Sequence, residues 1–228
     1  ATLEGTDDIL AVVKGFFGVF WKNINSCFNE IREDMPVYPG DKKVSLKKTA
    51  DINEDGYTSY FYDGTMHAGT HIDAPMHMTE DDKYIGDFSI DKFIGKGILI
   101  DVRGEKEIDL KDEYYKSIKE NYVVLFYTGL NTKYGKQEYY EEHPVITRKL
   151  AEFLIRKKVK MVGVDMPSPD RNPYEIHKLL LENEIFILEN LTNLEKLIYE
   201  EDFSVFAQPL KVKAEASLVR AIAVYQGY

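Results

Sequence analysis

Three of the five histidines in this 228-residue chain lie in one short segment, HAGTHIDAPMH, from His67 to His77. Within it, His67, His71 and Asp73 supply two imidazoles and one carboxylate. Catalytic zinc, manganese and iron sites use this ligand set and leave coordination positions open for water. A lone histidine usually satisfies only local hydrogen bonds, but a cluster of three needs a common explanation. The sequence therefore predicts a divalent-metal site in this segment.

The spacing of these residues favours an extended or looped backbone over a helix. In an extended chain, side chains at residues 67, 69, 71, 73 and 77 share one face, because side-chain direction repeats every two residues. A continuous helix would align His67 with His71 but turn Asp73 about 200° away. Pro75 also opposes an uninterrupted helix. On the extended path, Gly69 would leave room for an ion between the histidines.

Apolar runs of strand length lie on both sides of this segment. The runs FIGKGILIDV (93–102) and NYVVLFYTG (121–129) are typical of buried strands. An amphipathic helix is predicted over 145–158, with Thr147 as the cap, and a second helix over 174–183. Strands interleaved with two or three helices indicate an α/β fold, of mixed α+β character, in a single domain with a mixed β-sheet flanked by helices. Shorter strands are predicted over residues 43–46, 57–62, 161–166, 185–190 and 219–225.

The histidine segment resembles the H-x-G-T-H-x-D-x-P-x-H signature of the metal-dependent cyclase family, which includes bacterial kynurenine formamidases and isatin hydrolases. All seven specified positions match. The stretches MPVYPGD, VGVDMPSPD and HKLLLENEIFILENLTNLEKL also look like recurrent stretches of that family, so the resemblance covers residues 28–226. Over residues 213–217 the chain departs from the family's glycine-rich approach to the last strand. The resemblance implies a swivelling β/β/α fold and a homodimer or homotetramer.

The resemblance also implies how the metal is held. By position, His67, His71 and Asp73 would bind a first divalent ion, and Asp73 can bridge to a second ion held by His177 and Glu189. His177 is predicted on the helix after the proline-rich loop and Glu189 at the end of the following strand, so the chain can bring both to one place. We expect zinc, one or two ions per chain, with manganese as the alternative, because both accept imidazole and carboxylate.

Other residues implied by the resemblance concern catalysis and the substrate pocket. His77 matches the family's catalytic acid/base, and its alternative role is a third imidazole on the metal. Tyr38 is expected as a wall of the substrate pocket. Asp165, Ser168 and Asp170 match recurrent family positions, where either substrate contact or hydrogen bonding within a tight loop would suit them.

The reaction implied by the resemblance is hydrolysis of a formamide or cyclic amide on an aromatic amine, as in N-formylkynurenine. A divalent metal can lower the pKa of a bound water to about 7, so hydroxide would attack without a serine or cysteine nucleophile. His77 could then carry a proton from the water to the nitrogen. Isatin-like rings and lactones stay open as substrates, because the motif says little about the pocket.

Two further classes of function stay open. Two histidines and a carboxylate also form the facial triad of non-haem iron oxygenases. A complete ligand set can equally belong to a metal-binding protein without catalytic activity. A serine hydrolase is disfavoured, because the sequence contains no G-x-S-x-G motif.

Charge and cysteine content restrict the partners. A net charge of -10 and a pI near 5.1 argue against nucleic acid as a partner, since binding it needs clustered Lys and Arg. Cys27 is the only cysteine, which excludes an intrachain disulfide and makes a reducing cytoplasm the expected compartment. His143, within an acidic stretch, is expected at the surface. The expected partners are a small amide or formamide substrate and further copies of the chain.

The beginning of the chain is interpreted as a separate extension, residues 1–27, before a hydrolase domain over residues 28–228. Its apolar stretch from Ile9 to Trp21 is interrupted by Lys14 and lacks a small-residue cleavage pattern. We expect a docking helix there rather than a signal peptide or a membrane span. No membrane partner is therefore expected.

Overall fold

The computed structural model of the chain describes residues 23–226 as an α/β fold built on a nine-stranded mixed sheet. The α-helices in the described part are α1 (Ile52–Asp55), α2 (Tyr114–Ser117), α3 (Gln137–Glu141), α4 (Arg148–Arg156) and α5 (Glu175–Glu182). The strands in the same residues are β1 (Asn23–Ser26), β2 (Ser45–Ala50), β3 (Ser59–Asp63), β4 (His71–Asp73), β5 (Ile94–Asp101), β6 (Glu107–Ile108), β7 (Val123–Tyr127), β8 (Val145–Ile146), β9 (Met161–Val164), β10 (Phe186–Glu189), β11 (Phe203–Phe206), β12 (Ala216–Leu218) and β13 (Ile222–Tyr225).

The large sheet has a parallel centre and antiparallel flanks. Its strand order is β1-β13-β11-β5-β7-β9-β10-β4-β12, and β5, β7, β9 and β10 run parallel. Because β4 runs antiparallel to β10, its register places His71 directly opposite Glu189. Strands β2 and β3 form a separate hairpin, and β6 and β8 a small parallel pair. The sheet thus carries two of the predicted metal ligands to the same place.

Apolar side chains cover both faces of the central strands. In β7, Val123 and Leu125 belong to one buried cluster, whereas Val124 and Phe126 belong to the other. The second cluster is completed by helices α4 and α5, through residues such as Leu150, Phe153, Leu180 and Leu181. Burial on both faces explains why these strands form continuous apolar runs in the sequence. The predicted α/β fold with a mixed sheet and flanking helices is confirmed.

The predicted elements differ from the observed ones mainly at their ends. Helix α4 begins after Thr147, whose side chain accepts a hydrogen bond from the Leu150 backbone N–H, so the predicted cap is confirmed. The short strands β1, β11 and β12 were not predicted. They contain only three or four residues, and each is stabilised by hydrogen bonds to strands distant in sequence.

The N-terminal prediction falls largely outside the described residues. The stretch from Ile9 to Trp21 lies there in full. Residues 23–26, which we assigned to the extension, form β1 and pair with β13 at one edge of the large sheet. Among residues 23–226, no helix has both the length and the apolar character needed to cross a membrane.

Candidate metal centre

Residues from three separate parts of the chain meet at the end of β4. His67 lies in the turn before β4, His71 and Asp73 lie on that strand, and His77 ends a 3₁₀ turn over Pro75–His77. His177 comes from α5, and Glu189 is the last residue of β10. Two sets of possible ligand atoms each lie within 4.8 Å of one another. One set is His67, Asp73 and His77, and the other is His71, Asp73 and Glu189, so that Asp73 is shared.

The buried set is suited to a cation. His71 Nε2 lies 3.2 Å from Glu189 Oε2 and 3.5 Å from Asp73 Oδ1. Three of the buried atoms, His71 Nε2, Asp73 Oδ1 and Glu189 Oε1, accept or donate no hydrogen bond within residues 23–226. Orphaned polar atoms are costly in a protein interior, and imidazole with carboxylate is a donor set that divalent metals prefer. These residues therefore fit a divalent metal ion.

His177 completes the buried side of the cluster. Its Nε2 lies 3.2 Å from Asp73 Oδ2, and its Nδ1 lies 3.3 Å from Ser168 Oγ. Asp170 accepts hydrogen bonds from the backbone N–H groups of Ile176, at 2.7 Å, and His177, at 3.3 Å. Because the first turn of α5 is held in this way, the ring of His177 is directed at Asp73.

The two carboxylates of the cluster, Glu189 and Asp73, differ in the direction of their pKa shifts. Burial raises the pKa of Glu189, and the neighbouring carboxylate of Asp73 raises it further. For Asp73, burial acts in the same upward direction, but the positive charges of His71 and His67 outweigh it and hold its pKa well below the usual range. Two carboxylates this close repel each other when both are ionised. A divalent cation would stabilise both in the ionised form.

His67 and His77 lie side by side but differ electrostatically. Their ring centroids are 4.3 Å apart. Burial lowers the pKa of His67, but Asp73 and Glu215 outweigh this effect and raise it to about 10. For His77, burial is the main cause and lowers the pKa to about 4. His77 is therefore a neutral imidazole near pH 7, free to accept a proton.

A hydrogen-bond network fixes the ring of His71. Its Nδ1 donates to the carbonyl oxygen of Gly69 at 2.8 Å, and the same oxygen accepts from the amide of Asn190 at 3.0 Å. Asn190 accepts in turn from the hydroxyl of the fully buried Tyr139 at 2.7 Å. With Nδ1 bonded to the backbone, Nε2 of His71 faces the carboxylates.

The backbone around His67 is not a continuous extended strand, and the interpretation of Gly69 was wrong. Only His71–Asp73 is a strand, with turns on both sides. Gly69 has a φ of +70°, which favours glycine, and an added Cβ would lie 2.8 Å from Met35 Cε. Glycine is thus needed for the turn and for the close approach of Met35, rather than to make room for an ion.

A pocket of about 210 Å³ opens onto the metal-binding cluster. Tyr38 and Ser168, both predicted at the pocket, are among its lining residues. Asp165, also predicted at the pocket, is not among the lining residues. Its buried carboxylate accepts hydrogen bonds from the backbone N–H and hydroxyl of Thr128 and from the backbone N–H of Gly129. Asp165 therefore joins the ends of β7 and β9, which matches the loop alternative considered for it.

Several pocket residues were not found from the sequence. The lining includes three more tyrosines, Tyr134, Tyr140 and Tyr174, whose hydroxyl-bearing rings make the wall largely aromatic. The Tyr174 hydroxyl lies 3.2 Å from that of Tyr38. The high tyrosine content of the chain was the only available signal, and it does not say which tyrosines converge.

The expectation that His143 lies at the surface was wrong. Its side chain is 1% exposed. Arg171 donates a hydrogen bond to its backbone oxygen, so the proline-rich loop is anchored to this residue. His143 lies outside the metal cluster and belongs to the structural interior.

Comparisons with known proteins identify the family of the chain. The putative cyclase family model matches residues 28–171. The kynurenine formamidase of Erythrobacter litoralis is 31% identical over 201 residues, which are 84% of this chain and 89% of the relative.

Two solved structures resemble the chain along most of its length. Isatin hydrolase A from Labrenzia aggregata has a TM-score of 0.81 at 20% identity and covers 97% of this chain and 100% of its own, which shows a shared fold. A structure described as a potential metal-dependent hydrolase with cyclase activity has a TM-score of 0.72 at 25% identity, covering 90% of this chain and 99% of its own. The resemblance inferred from the histidine motif is confirmed, and the chain belongs to the cyclase family.

Proposed function

We propose that this protein is a metal-dependent hydrolase of carbon–nitrogen bonds other than peptide bonds, and specifically an arylformamidase that converts N-formylkynurenine to kynurenine and formate. The observation that carries the proposal is the meeting of a buried imidazole and carboxylate cluster with a pocket of aromatic side chains. The likeness to kynurenine formamidases along most of the chain supports it.

The proposed metal ligands are His67, His71, Asp73, His177 and Glu189. We propose zinc as the metal, one or two ions per chain, with manganese as the alternative. The buried set of His71, Asp73 and Glu189 supports one ion, and His67 and His177 lie 3.1 and 3.2 Å from the two oxygens of Asp73. When bound, such an ion lowers the pKa of a water and polarises the substrate carbonyl, which is chemistry that no side chain of the pocket supplies by itself.

The side chains around the ion have separate tasks in this proposal. The tyrosine-rich wall would hold the aryl ring, since aromatic rings pack edge to face or offset. In the wall itself, Tyr38 and Tyr140 already pack edge to face, with centroids 5.8 Å apart. An aryl ring held there would place its formamide group towards the histidines.

His77 is proposed as the acid/base. It borders the pocket, and its neutral imidazole has a lone pair that can accept the proton of the attacking water. The protonated ring can then donate that proton to the departing nitrogen, so that the amine leaves in its neutral form.

A substrate panel tests the proposal directly. Purified protein loaded with zinc or manganese would be assayed against N-formylkynurenine, isatin and a set of lactones, under nitrogen. We expect the highest kcat/KM for N-formylkynurenine. A preference for isatin or a lactone would replace the proposed substrate, and activity only with Fe(II) and oxygen would replace hydrolysis by oxygenation. Metal-loaded protein that is inert on the whole panel would indicate a non-catalytic metal-binding protein.

We further propose that the protein acts in the cytoplasm as a homodimer or homotetramer. The buried, unpaired Cys27 is consistent with a reducing compartment. Light scattering of the purified protein would determine the oligomeric state.

A further inference from the structure

Glu215 is a carboxylate beside the metal cluster that the proposed mechanism does not use. It lies one residue before β12. Its backbone oxygen accepts a hydrogen bond of 3.0 Å from the N–H of Ala74, the residue after Asp73. The backbone of Glu215 is thereby fixed against the segment that carries the proposed ligands.

The side chain of Glu215 contacts His67. Its Oε1 lies at hydrogen-bonding distance, 3.2 Å, from His67 Nε2. An ionised carboxylate can only accept a hydrogen bond, so the hydrogen must be on Nε2. When a metal ion displaces the second proton of His67, the neutral ring keeps its hydrogen on Nε2 and carries its lone pair on Nδ1.

Nδ1 of His67 faces the metal cluster. It lies 3.1 Å from Asp73 Oδ1, yet this oxygen accepts no hydrogen bond from any residue in the part of the chain that the structure describes. In that metal-binding form, Nδ1 and Asp73 Oδ1 are both electron donors that face each other, and a cation satisfies both. The hydrogen bond between Nε2 and Glu215 thus orients the His67 ring so that Nδ1 faces the metal cluster as a ligand atom.

We propose that Glu215 is a positioning residue for the metal centre, which selects the tautomer and ring orientation of His67 so that Nδ1 is the ligand atom. This inference rests on the proposed function, in which His67 binds the ion. Histidine ligands commonly donate their second N–H to a carboxylate or carbonyl, and loss of such a partner weakens metal binding roughly 10- to 100-fold. His71 has a backbone carbonyl in this role, and Glu215 supplies the equivalent partner for His67.

Zinc affinity, measured by competition with a chromophoric chelator, tests this inference without an activity assay. For Glu215→Ala we expect roughly 10- to 100-fold weaker zinc binding at unchanged stoichiometry. Glu215→Gln should lie between this variant and the wild type, because its amide oxygen still accepts the Nε2–H. The control Glu120→Ala, which removes an exposed partner of Lys158, should bind zinc like the wild type.

The tautomer of His67 gives a second, spectroscopic readout. In the zinc-loaded wild type, long-range ¹H–¹⁵N correlation spectra should show His67 with the proton on Nε2, and this signature should be lost or mixed in Glu215→Ala. Unchanged affinity in both Glu215 variants, or a proton on Nδ1 in the wild type, would overturn the inference. If the wild type hydrolyses formamides and binds zinc, but the zinc affinities of the Glu215 variants and the tautomer spectra differ from these expectations, only the role of Glu215 is wrong. Absence of zinc binding in the wild type would overturn both proposals.

Discussion

At the scale of single residues, the histidines of the centre have different tasks although they share one short segment. His77 is the one whose removal should leave the metal in place. In His77→Ala we expect unchanged zinc content and a fall in kcat of roughly 100- to 10,000-fold, because the proton-transfer group is lost and the proposed ligands are retained. Elemental analysis together with initial rates would measure both quantities.

The comparison variant for His77 is Asp73→Ala, which removes the carboxylate shared by both ligand sets. This variant should lose zinc and activity together. If His77→Ala also lost its zinc, His77 would be a third imidazole ligand, which is the alternative left open by the sequence.

His143 gives a residue-scale prediction about acid stability. Burial is the main cause that lowers its pKa from 6.5 to about 4 in the folded protein. As the pH falls through 6.5, the unfolded chain therefore takes up a proton before the folded one, and stability is lost until the pH reaches about 4. From this residue alone, the free energy of unfolding should be about 2 kcal/mol lower at pH 5 than at pH 7.5.

The variant His143→Gln isolates that contribution, since glutamine does not titrate. Urea unfolding at pH 7.5 and pH 5 should show a smaller loss of stability for the variant than for the wild type, by about 2 kcal/mol. Other titrating groups, including those of the metal cluster, cancel in this difference. Equal losses in the two proteins would show that His143 can be protonated in the folded state.

The sequence was informative about residues whose function requires a fixed spacing. His67, His71, Asp73 and His77 fall in one segment because a short loop and strand can bring them together without the rest of the chain. The burial of His143 was not predictable, since it depends on how the distant proline-rich loop, with Arg171, folds over it. Glu215 was equally hidden, because its contact with His67 arises only from the pairing of β12 with β4.

At the scale of elements, the start of helix α5 determines where His177 lies. Asp170 accepts from the backbone N–H of Ile176, and Asp170→Ala would leave this buried donor without its acceptor. We expect a loss of about 1–2 kcal/mol in the free energy of unfolding and weaker zinc binding, because the ring of His177 is no longer held towards Asp73.

A matched variant in another helix separates the effect of Asp170→Ala on stability from its effect on zinc binding. Thr147→Ala removes the cap of α4, where the side chain accepts from the Leu150 N–H, and should cost about 1 kcal/mol of stability. Helix α4 carries none of the proposed ligands, so zinc affinity should not change. Equal zinc affinity in the two variants would mean that Asp170 stabilises the helix without positioning His177.

Which elements could be predicted follows from how each is stabilised. Strands β5 and β7 were found because burial on both faces requires a long apolar run, and α4 because its apolar positions follow the helical period. Strands β1, β11 and β12 are too short for a pattern of their own. Their conformation comes from hydrogen bonds to partners far along the chain, which a local reading of the sequence does not reveal.

At the scale of the whole molecule, the metal centre joins segments that are far apart in sequence. Asp73 lies beside His177, from a helix more than a hundred positions later, and Asp73 and His71 lie on the strand that pairs with β10. A bound ion would therefore connect the edge of the sheet, helix α5 and strand β10. Since these contacts exist only in the folded chain, the ion should bind the folded state in preference to the unfolded one.

This preference predicts that metal removal lowers the thermal stability of the entire protein. With free zinc at about 100 times its dissociation constant, the stabilisation should be about 2.7 kcal/mol. For a chain of this size that corresponds to a rise of roughly 5 to 10 °C in the melting temperature. Calorimetry of metal-free protein, with and without added zinc, would measure it. Asp73→Ala should show a much smaller shift, and a wild type that melts at the same temperature in both conditions would mean that the cluster does not bind zinc.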